Sequence, residues 1–127
     1  MILDTSALIA ILRDEPDASG VARAIESADQ VKISAATVLE ASLVCGPARW
    51  ADLDELLTSS GAVVQPVDSE AVRLAREAHA RFGRGSGSAA RLNFGDLFSY
   101  ALAMSSQEEL LYVGHDFGHT DVRRAGQ

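Results

Sequence analysis

Short apolar segments alternate with helical patterns along the whole chain, and this alternation constrains the fold more than any other feature. The strand-like segments are MILD, VKIS, AVVQPV and ELLYVG. Between them, apolar residues recur every three or four positions, as they do on one face of a helix. The alternation predicts an α/β fold with three layers, α/β/α, around a mainly parallel central sheet of four to five strands. A short final strand after HDFGHTDVRR would be the fifth.

Length and composition restrict how the chain is organised. Residues 1–127, of which 47% are apolar, fit a single domain with a hydrophobic core. No apolar stretch reaches the roughly 18 residues needed to span a bilayer, and Asp4 lies where a signal peptide would have its basic leader. Cys45 is the only cysteine, so no internal disulfide can form. We therefore predict a cytoplasmic protein that is not associated with a membrane.

Four acidic residues come from segments that follow strands. Asp4 ends the first strand and Asp116 follows the fourth, whereas Glu40 and Asp96 lie in helices, Asp96 in a first turn. Ligands of parallel α/β sheets bind outside the carboxyl ends of the strands, where these acids are expected to meet. Each acid also has a purely structural interpretation. Asp4 can cap a helix, Glu40 and Asp96 have capping-box spacing, and Asp116 can be a turn residue.

As a set, the acids indicate a metal site. Glu40 lies in ATVLEASLV and Asp96 in LNFGDLFSYALA, and both stretches are mostly apolar. Partly buried carboxylates repel one another and lose hydration, and a hard divalent cation offsets both effects. The chain has no matching group of His and Cys residues, so the pattern favours Mg²⁺ or Mn²⁺ over Zn²⁺.

Four stretches together carry a resemblance to a known family. They are MILDTSALIAIL, SAATVLEASLV, LNFGDLFSYALA and LLYVGHDFGHTDV. In order and spacing the chain resembles PIN-domain ribonucleases, specifically the VapC toxins of type II (VapBC) toxin–antitoxin systems. The resemblance implies a PIN-like fold and a catalytic, metal-binding set of four acids. That set is Asp4, Glu40, Asp96 and Asp116.

The resemblance also implies an activity and partners. The expected activity is Mg²⁺- or Mn²⁺-dependent hydrolysis of phosphodiester bonds in structured RNA, such as tRNA or rRNA, with 5′-phosphate and 3′-hydroxyl products. The expected partners are a VapB-like antitoxin, a second copy of the chain and a larger toxin–antitoxin complex. The alternative is a catalytically weak or inactive PIN-like domain that only binds its antitoxin or RNA.

Two positions depart from the family pattern. Leu97 stands where many relatives have Cys, which we expect to affect packing only. His115 precedes the Asp-Phe pair where relatives often have an acid or another polar residue. This changes the electrostatics next to Asp116, and Asp121 is an alternative for the fourth acid because Thr120-Asp121 also belongs to the shared pattern.

Other residues near the acids have expected supporting roles. Thr5 and Ser6 could hydrogen-bond a ligand carboxylate, or they could simply begin a helix. The net charge of −7 argues against a general nucleic-acid binder, so RNA affinity would need a local basic rim. The candidates for this rim flank the glycine-rich loop before the Asp96 helix. They are Arg81, Arg84 and Arg91.

Overall fold

The structure is a computed structural model, and it describes residues 1–126. The strands are β1 (Ile2–Leu3), β2 (Lys32–Ser34), β3 (Val63–Gln65) and β4 (Leu110–Leu111). The helices are α1 (Thr5–Leu12), α2 (Ala18–Ser27), α3 (Ala35–Cys45), α4 (Trp50–Ser59), α5 (Ser69–Phe82) and α6 (Phe94–Ser106). Short 3-10 turns cover Pro47–Arg49 and Asp116–His119. In the part of the chain described here, no helix has both the length and the apolar character required to cross a bilayer.

The four strands form one parallel sheet in the order β3-β2-β1-β4. β1 therefore lies between β2 and β4, and its carboxyl end, where Asp4 follows, is near the middle of one edge of the sheet. The short final strand is reduced to a single parallel bridge between Leu110 and Arg124. The predicted α/β fold with a parallel sheet of four to five strands is thus confirmed.

Successive residues of β1 supply the two faces of the sheet, because side chains in a strand alternate in direction. Leu3 packs in a core cluster with α1, α2, α3 and α4, whereas Ile2 packs in a second cluster with α5 and α6. Both side chains are completely buried. This division places helices on both faces of the sheet and gives the three predicted layers.

The caps of the helices set where the acidic residues lie. Asp4 caps α1 by accepting from the backbone N–H of Ser6, and Asn93 forms a capping box with Asp96 at the start of α6. At α3 the cap is Ser34, so Glu40 lies inside the helix and has no capping function. The structural interpretation is therefore correct for Asp4 and Asp96 and wrong for Glu40. Capping uses only part of each carboxylate, so it does not exclude a second function.

Candidate metal-dependent active site

Three of the acids lie close enough to the fourth, Asp96, to affect it electrostatically. Burial is the main cause that raises the pKa of Asp96 from 3.8 to about 6. A hydrogen bond from the backbone of Asn93 opposes this increase. The negative charges of the other three acids add to the increase; they are Asp4, Glu40 and Asp116. The negative charges of all four acids thus act at the first turn of α6.

Asp4 is the most deeply buried of the four, with 3% of its surface exposed. Ser99 donates to Oδ1 at 2.7 Å, and the hydroxyl and backbone N–H of Ser6 donate to Oδ2 at 2.7 and 3.0 Å. The Ser6 hydroxyl in turn accepts from the backbone of Val113, just after β4. Three hydrogen bonds therefore fix the orientation of a buried carboxylate, which satisfies its need for partners.

Ser99 is a supporting residue whose contacts local sequence patterns do not identify. It is completely buried, and its hydroxyl lies 3.2 Å from that of Thr37, which is also buried. The two residues join α6 and α3 to Asp4, which is 95 positions from Ser99 in the sequence. The available signal is a hydroxyl residue one turn after Asp96, inside the apolar run LFSYALA.

Glu40 is positioned by the side chain of Thr5 and by the absence of a side chain at Gly95. The hydroxyl of Thr5 donates to its Oε1. Its carboxylate also lies against the backbone of Gly95 in α6, where a Cβ atom would be 1.5 Å from Oε2. Thr5 and Ser6 thus make the hydrogen bonds to carboxylates that the sequence suggested. Gly95, which sequence reasoning did not single out, leaves the space that Glu40 occupies.

Two of the three candidate arginines adjoin one of the acids, Asp116. A cavity of about 440 Å³ is lined by Arg84, Gly85, Arg91 and Asp116. Arg81 is placed differently. Its guanidinium lies 3.3 Å from Asp121 and 4.6 Å from the centre of the Phe82 ring.

Asp121 is occupied by contacts away from the other acids. It accepts a hydrogen bond of 2.5 Å from the hydroxyl of Tyr100 and pairs with Arg81. Burial and this hydrogen bond raise the pKa of Tyr100. Asp116, by contrast, acts electrostatically on Asp96. This arrangement favours Asp116 over Asp121 as the fourth acid, although its role in metal binding stays a prediction.

The oxygen donors suit a hard cation that retains part of its water. Within residues 1–126, no three His, Cys, Asp or Glu side chains converge as a ready-made ligand group for one metal ion. Mg²⁺ rarely needs such a group, because it is usually held by one or two carboxylates, water and substrate phosphate. Carboxylates whose charges raise the pKa of Asp96 provide the negative potential that a cation would neutralise. The site therefore fits a divalent ion on the chemistry of its donors.

Removing the Ser99 hydroxyl should weaken the site and the fold together. Ser99→Ala leaves one oxygen of buried Asp4 without its donor, which costs about 1–3 kcal/mol of unfolding free energy. Loss of such a supporting hydrogen bond typically weakens metal binding about 10- to 100-fold. Urea unfolding and Mn²⁺ titration measure the two effects, with Ser105→Ala, at an exposed position of α6, as the matched control. Equal stability and Mn²⁺ affinity in the two variants would contradict this role.

The raised pKa of Asp96 gives the metal-free protein a defined pH dependence. The folded state keeps the Asp96 proton until about pH 6, whereas an unfolded chain releases it near pH 3.8. Between these values the folded state binds more protons, so this carboxyl lowers the free energy of unfolding as pH rises. In EDTA, we expect Asp96→Asn to be more stable than the parent at pH 7, with the difference vanishing near pH 4. A stability difference that is constant over this range would contradict the assignment.

Comparison with known proteins places this geometry in a family. The model of the PIN domain family matches residues 1–123. Ribonuclease VapC28 of Mycobacterium tuberculosis is 54% identical over 129 residues, which cover 98% of this chain and 97% of the relative.

Two solved structures have the same fold at low sequence identity. The crystal structure of Mycobacterium tuberculosis VapC20, a Sarcin-Ricin loop cleaving toxin, has a TM-score of 0.75 at 17% identity and 95% coverage of both chains. A toxin-antitoxin complex from Klebsiella pneumoniae has a TM-score of 0.73 at 16% identity and covers 99% of this chain and 97% of its own. The chain therefore belongs to the PIN-domain family, in which its full-length relatives are VapC ribonucleases.

Proposed function

We propose that the chain is the toxin of a toxin–antitoxin pair and cleaves RNA as a divalent-metal-dependent endoribonuclease. PIN-domain ribonucleases generally depend on a divalent metal, and the ion proposed here is Mg²⁺ or Mn²⁺. The observation that carries the proposal is the set of four acids around the first turn of α6. The charges of Asp4, Glu40 and Asp116 act on the fourth acid, Asp96. Near-full-length relatives that are 41–54% identical and named VapC ribonucleases support the same activity.

The four acids have different proposed roles in metal binding. Asp4 and Asp96 are the proposed direct ligands, because Asp4 is held in one orientation by hydrogen bonds and Asp96 lies where the charges of the other acids act together. Glu40 and Asp116 would contribute through water or at a second ion. When bound, a divalent ion lowers the pKa of water and stabilises negative charge on phosphoryl oxygens. The reaction is hydrolysis of a phosphodiester to a 5′-phosphate and a 3′-hydroxyl.

The proposed substrate is structured RNA, such as tRNA or rRNA. The cleavage of the Sarcin-Ricin loop named for VapC20 supports this class of substrate. Without the four acids, the remaining 14 acidic and 11 basic residues still give a charge of −3. RNA must therefore be held by local positive charge, and Arg84 and Arg91 beside Asp116 provide it.

Reversing the charge of Arg84 should weaken RNA binding and spare the metal. For Arg84→Glu we expect an increase of about tenfold in KM and a salt dependence reduced by about one unit of slope, as for a lost phosphate contact. The Mn²⁺-induced increase in melting temperature should be unchanged. Arg23→Glu, at an exposed position of α2 in the other helical layer, is the control. Unchanged cleavage and salt dependence would move the RNA surface elsewhere, with Arg13 and the Arg123–Arg124 pair next to test.

Two protein partners complete the proposal. The first is a VapB-like antitoxin, supported by the toxin-antitoxin complex among the structural neighbours. A Lys or Arg side chain of the antitoxin inserted among the acids would replace the charge of the metal. The second partner is another copy of this chain, and the exposed Leu39 and Leu43, one turn apart on α3, offer an apolar surface for it. A larger toxin–antitoxin complex would combine both contacts.

The experiment that tests the function is metal-dependent cleavage in the cell and in solution. We expect brief induction of the protein in bacterial cytoplasm, where a single domain of residues 1–127 would act, to produce new 5′-phosphate ends in one class of structured RNA. The same ends should form with purified protein and Mn²⁺ and should be absent in EDTA. Binding of RNA without cleavage under all these conditions would indicate an inactive binding module instead.

A further inference from the structure

An apolar groove of about 630 Å³ is lined by residues of α5, of α6 and of the segment that joins them. Its most unusual residue is Phe94, the first residue of α6, which is 77% exposed. Phe98 holds the Phe94 ring edge to face at 4.9 Å. Phe94 lies in the same first turn of α6 as Asp96.

The side chains that line the groove have the charge needed to bind a chain of phosphates. Three basic side chains line it, and among the described residues of its lining none is acidic, although the chain has a net charge of −7. The basic residues are Arg76, His79 and Arg84. This local excess of positive charge suits a polyanion that also presents flat apolar groups.

The groove shares one lining residue with the smaller cavity at Asp116. Arg84 lines both the groove with Phe94 and the smaller cavity with Arg91 and Asp116. A nucleic-acid strand that runs from Asp116 into the groove would therefore pass Arg84 on its way to Phe94. A volume of about 630 Å³ is within the range of sites that bind small organic molecules, so the groove has room for a nucleoside.

We propose that an unpaired nucleobase adjacent to the cleaved phosphate stacks on Phe94, while Arg84 contacts the phosphate that leads to it. Stacking on an aromatic face tolerates any base, because every base has a π surface. The subsite would thus select for an unstacked nucleotide rather than for a particular sequence. The proposal rests on the ribonuclease function argued above and adds to it a substrate feature, a splayed-out base.

The test measures RNA binding without turnover. In EDTA, fluorescence anisotropy gives Kd for an oligoadenylate of about eight nucleotides, a length typical of single-strand sites, and for a ribose-phosphate oligomer of the same length without bases. We expect the parent to prefer the oligomer with bases by about tenfold or more, the size of one base–aromatic stack. Phe94→Ala should lose this preference and Phe94→Trp should keep it. Trp50→Ala, which removes an exposed aromatic side chain in the other helical layer, should not change it.

Three results would overturn the proposal. One is a Phe94→Ala variant that keeps the preference for the oligomer with bases. Another is full preference in Phe94→Leu, because an apolar side chain without a π face would then suffice. The third is a change in oligomeric state of Phe94→Ala by sedimentation equilibrium with unchanged RNA binding, which would assign the groove to a subunit interface. Failure of the ribonuclease function would instead appear as absent Mn²⁺-dependent cleavage in the parent, whatever its binding.

Discussion

Asp96→Asn should reduce divalent-metal-dependent RNA cleavage by about a thousandfold or more while leaving the fold intact. A neutral amide is a poorer ligand than a carboxylate, and loss of the several kcal/mol of charge stabilisation that a bound ion provides corresponds to this factor. The fold should survive because the amide oxygen can still accept from the backbone of Asn93 in the capping box. Cleavage assays in Mg²⁺ and Mn²⁺, with circular dichroism of the same preparations, measure both effects.

Two further acid variants serve as internal comparisons for Asp96→Asn. Asp116→Asn should also lower cleavage, because Asp116 is close enough to act on Asp96. Asp121→Asn should chiefly affect stability, because the partners of Asp121 are Tyr100 and Arg81. The reverse ranking of these two variants would make Asp121 the fourth acid. Full metal-dependent activity of Asp96→Asn would contradict the assignment of the site itself.

Gly95→Ala should separate activity from stability. An added Cβ would lie 1.5 Å from Oε2 and 2.2 Å from Cδ of Glu40, so the carboxylate must move away from α6 and from Thr5. Displacing an oriented acid of this kind typically lowers metal affinity or activity about 10- to 100-fold. The fold should not suffer, because the Glu40 side chain is only partly buried and has room to move toward solvent, and because Ala suits a helix better than Gly by about 0.5–1 kcal/mol.

The control for Gly95→Ala is a second helical glycine in open surroundings. At Gly20 in α2, an added Cβ would meet only Nη2 of Arg23, at 3.9 Å. Gly20→Ala should therefore gain the same helix propensity and keep full activity. Thermal unfolding and cleavage assays on both variants separate the two effects. If Gly95→Ala cleaves RNA as well as Gly20→Ala does, then the position of the Glu40 carboxylate in this structure is not the active one.

The sequence predicts the fold because the order of strands and helices depends on local patterns. Strand–helix alternation implies a parallel sheet, and a parallel sheet brings its strand ends to one edge. Asp4 and Asp116 therefore follow two adjacent strands, β1 and β4. The cap of α6 was also visible locally, in the spacing of Asn93 and Asp96.

The remaining features depend on contacts between distant segments, which local patterns do not report. Ser99 reads as one more residue of an apolar helix until the packing of α6 on β1 brings it to Asp4. Gly95 reads as a residue of no special role until α3 places Glu40 against it. In the sequence, Arg81 and Arg84 are equally plausible RNA-binding residues because both lie near the glycine-rich loop. In the structure, Arg81 at the end of α5 pairs with Asp121, 40 positions away. RNA would therefore compete with Asp121 for the Arg81 side chain.

The supporting hydrogen bonds show how the protein keeps crowded acids in place without a metal. Both oxygens of Asp4 accept hydrogen bonds from Ser6 or Ser99, Glu40 accepts from Thr5, and Asp96 accepts from the backbone of Asn93. The raised pKa of Asp96 shows that these contacts do not remove all of the electrostatic cost. Millimolar Mg²⁺ or Mn²⁺ should therefore raise the melting temperature, because the ion binds the folded state alone.

Location of the bound ion tests the central claim most directly. Crystals soaked in Mn²⁺, with diffraction measured near the manganese absorption edge, show the metal through its anomalous scattering. The account predicts an anomalous peak between the carboxylates of Asp4 and Asp96, and no peak there in crystals of Asp96→Asn. A peak elsewhere in an RNA-cleaving protein, or none at the acids in millimolar Mn²⁺, would contradict it.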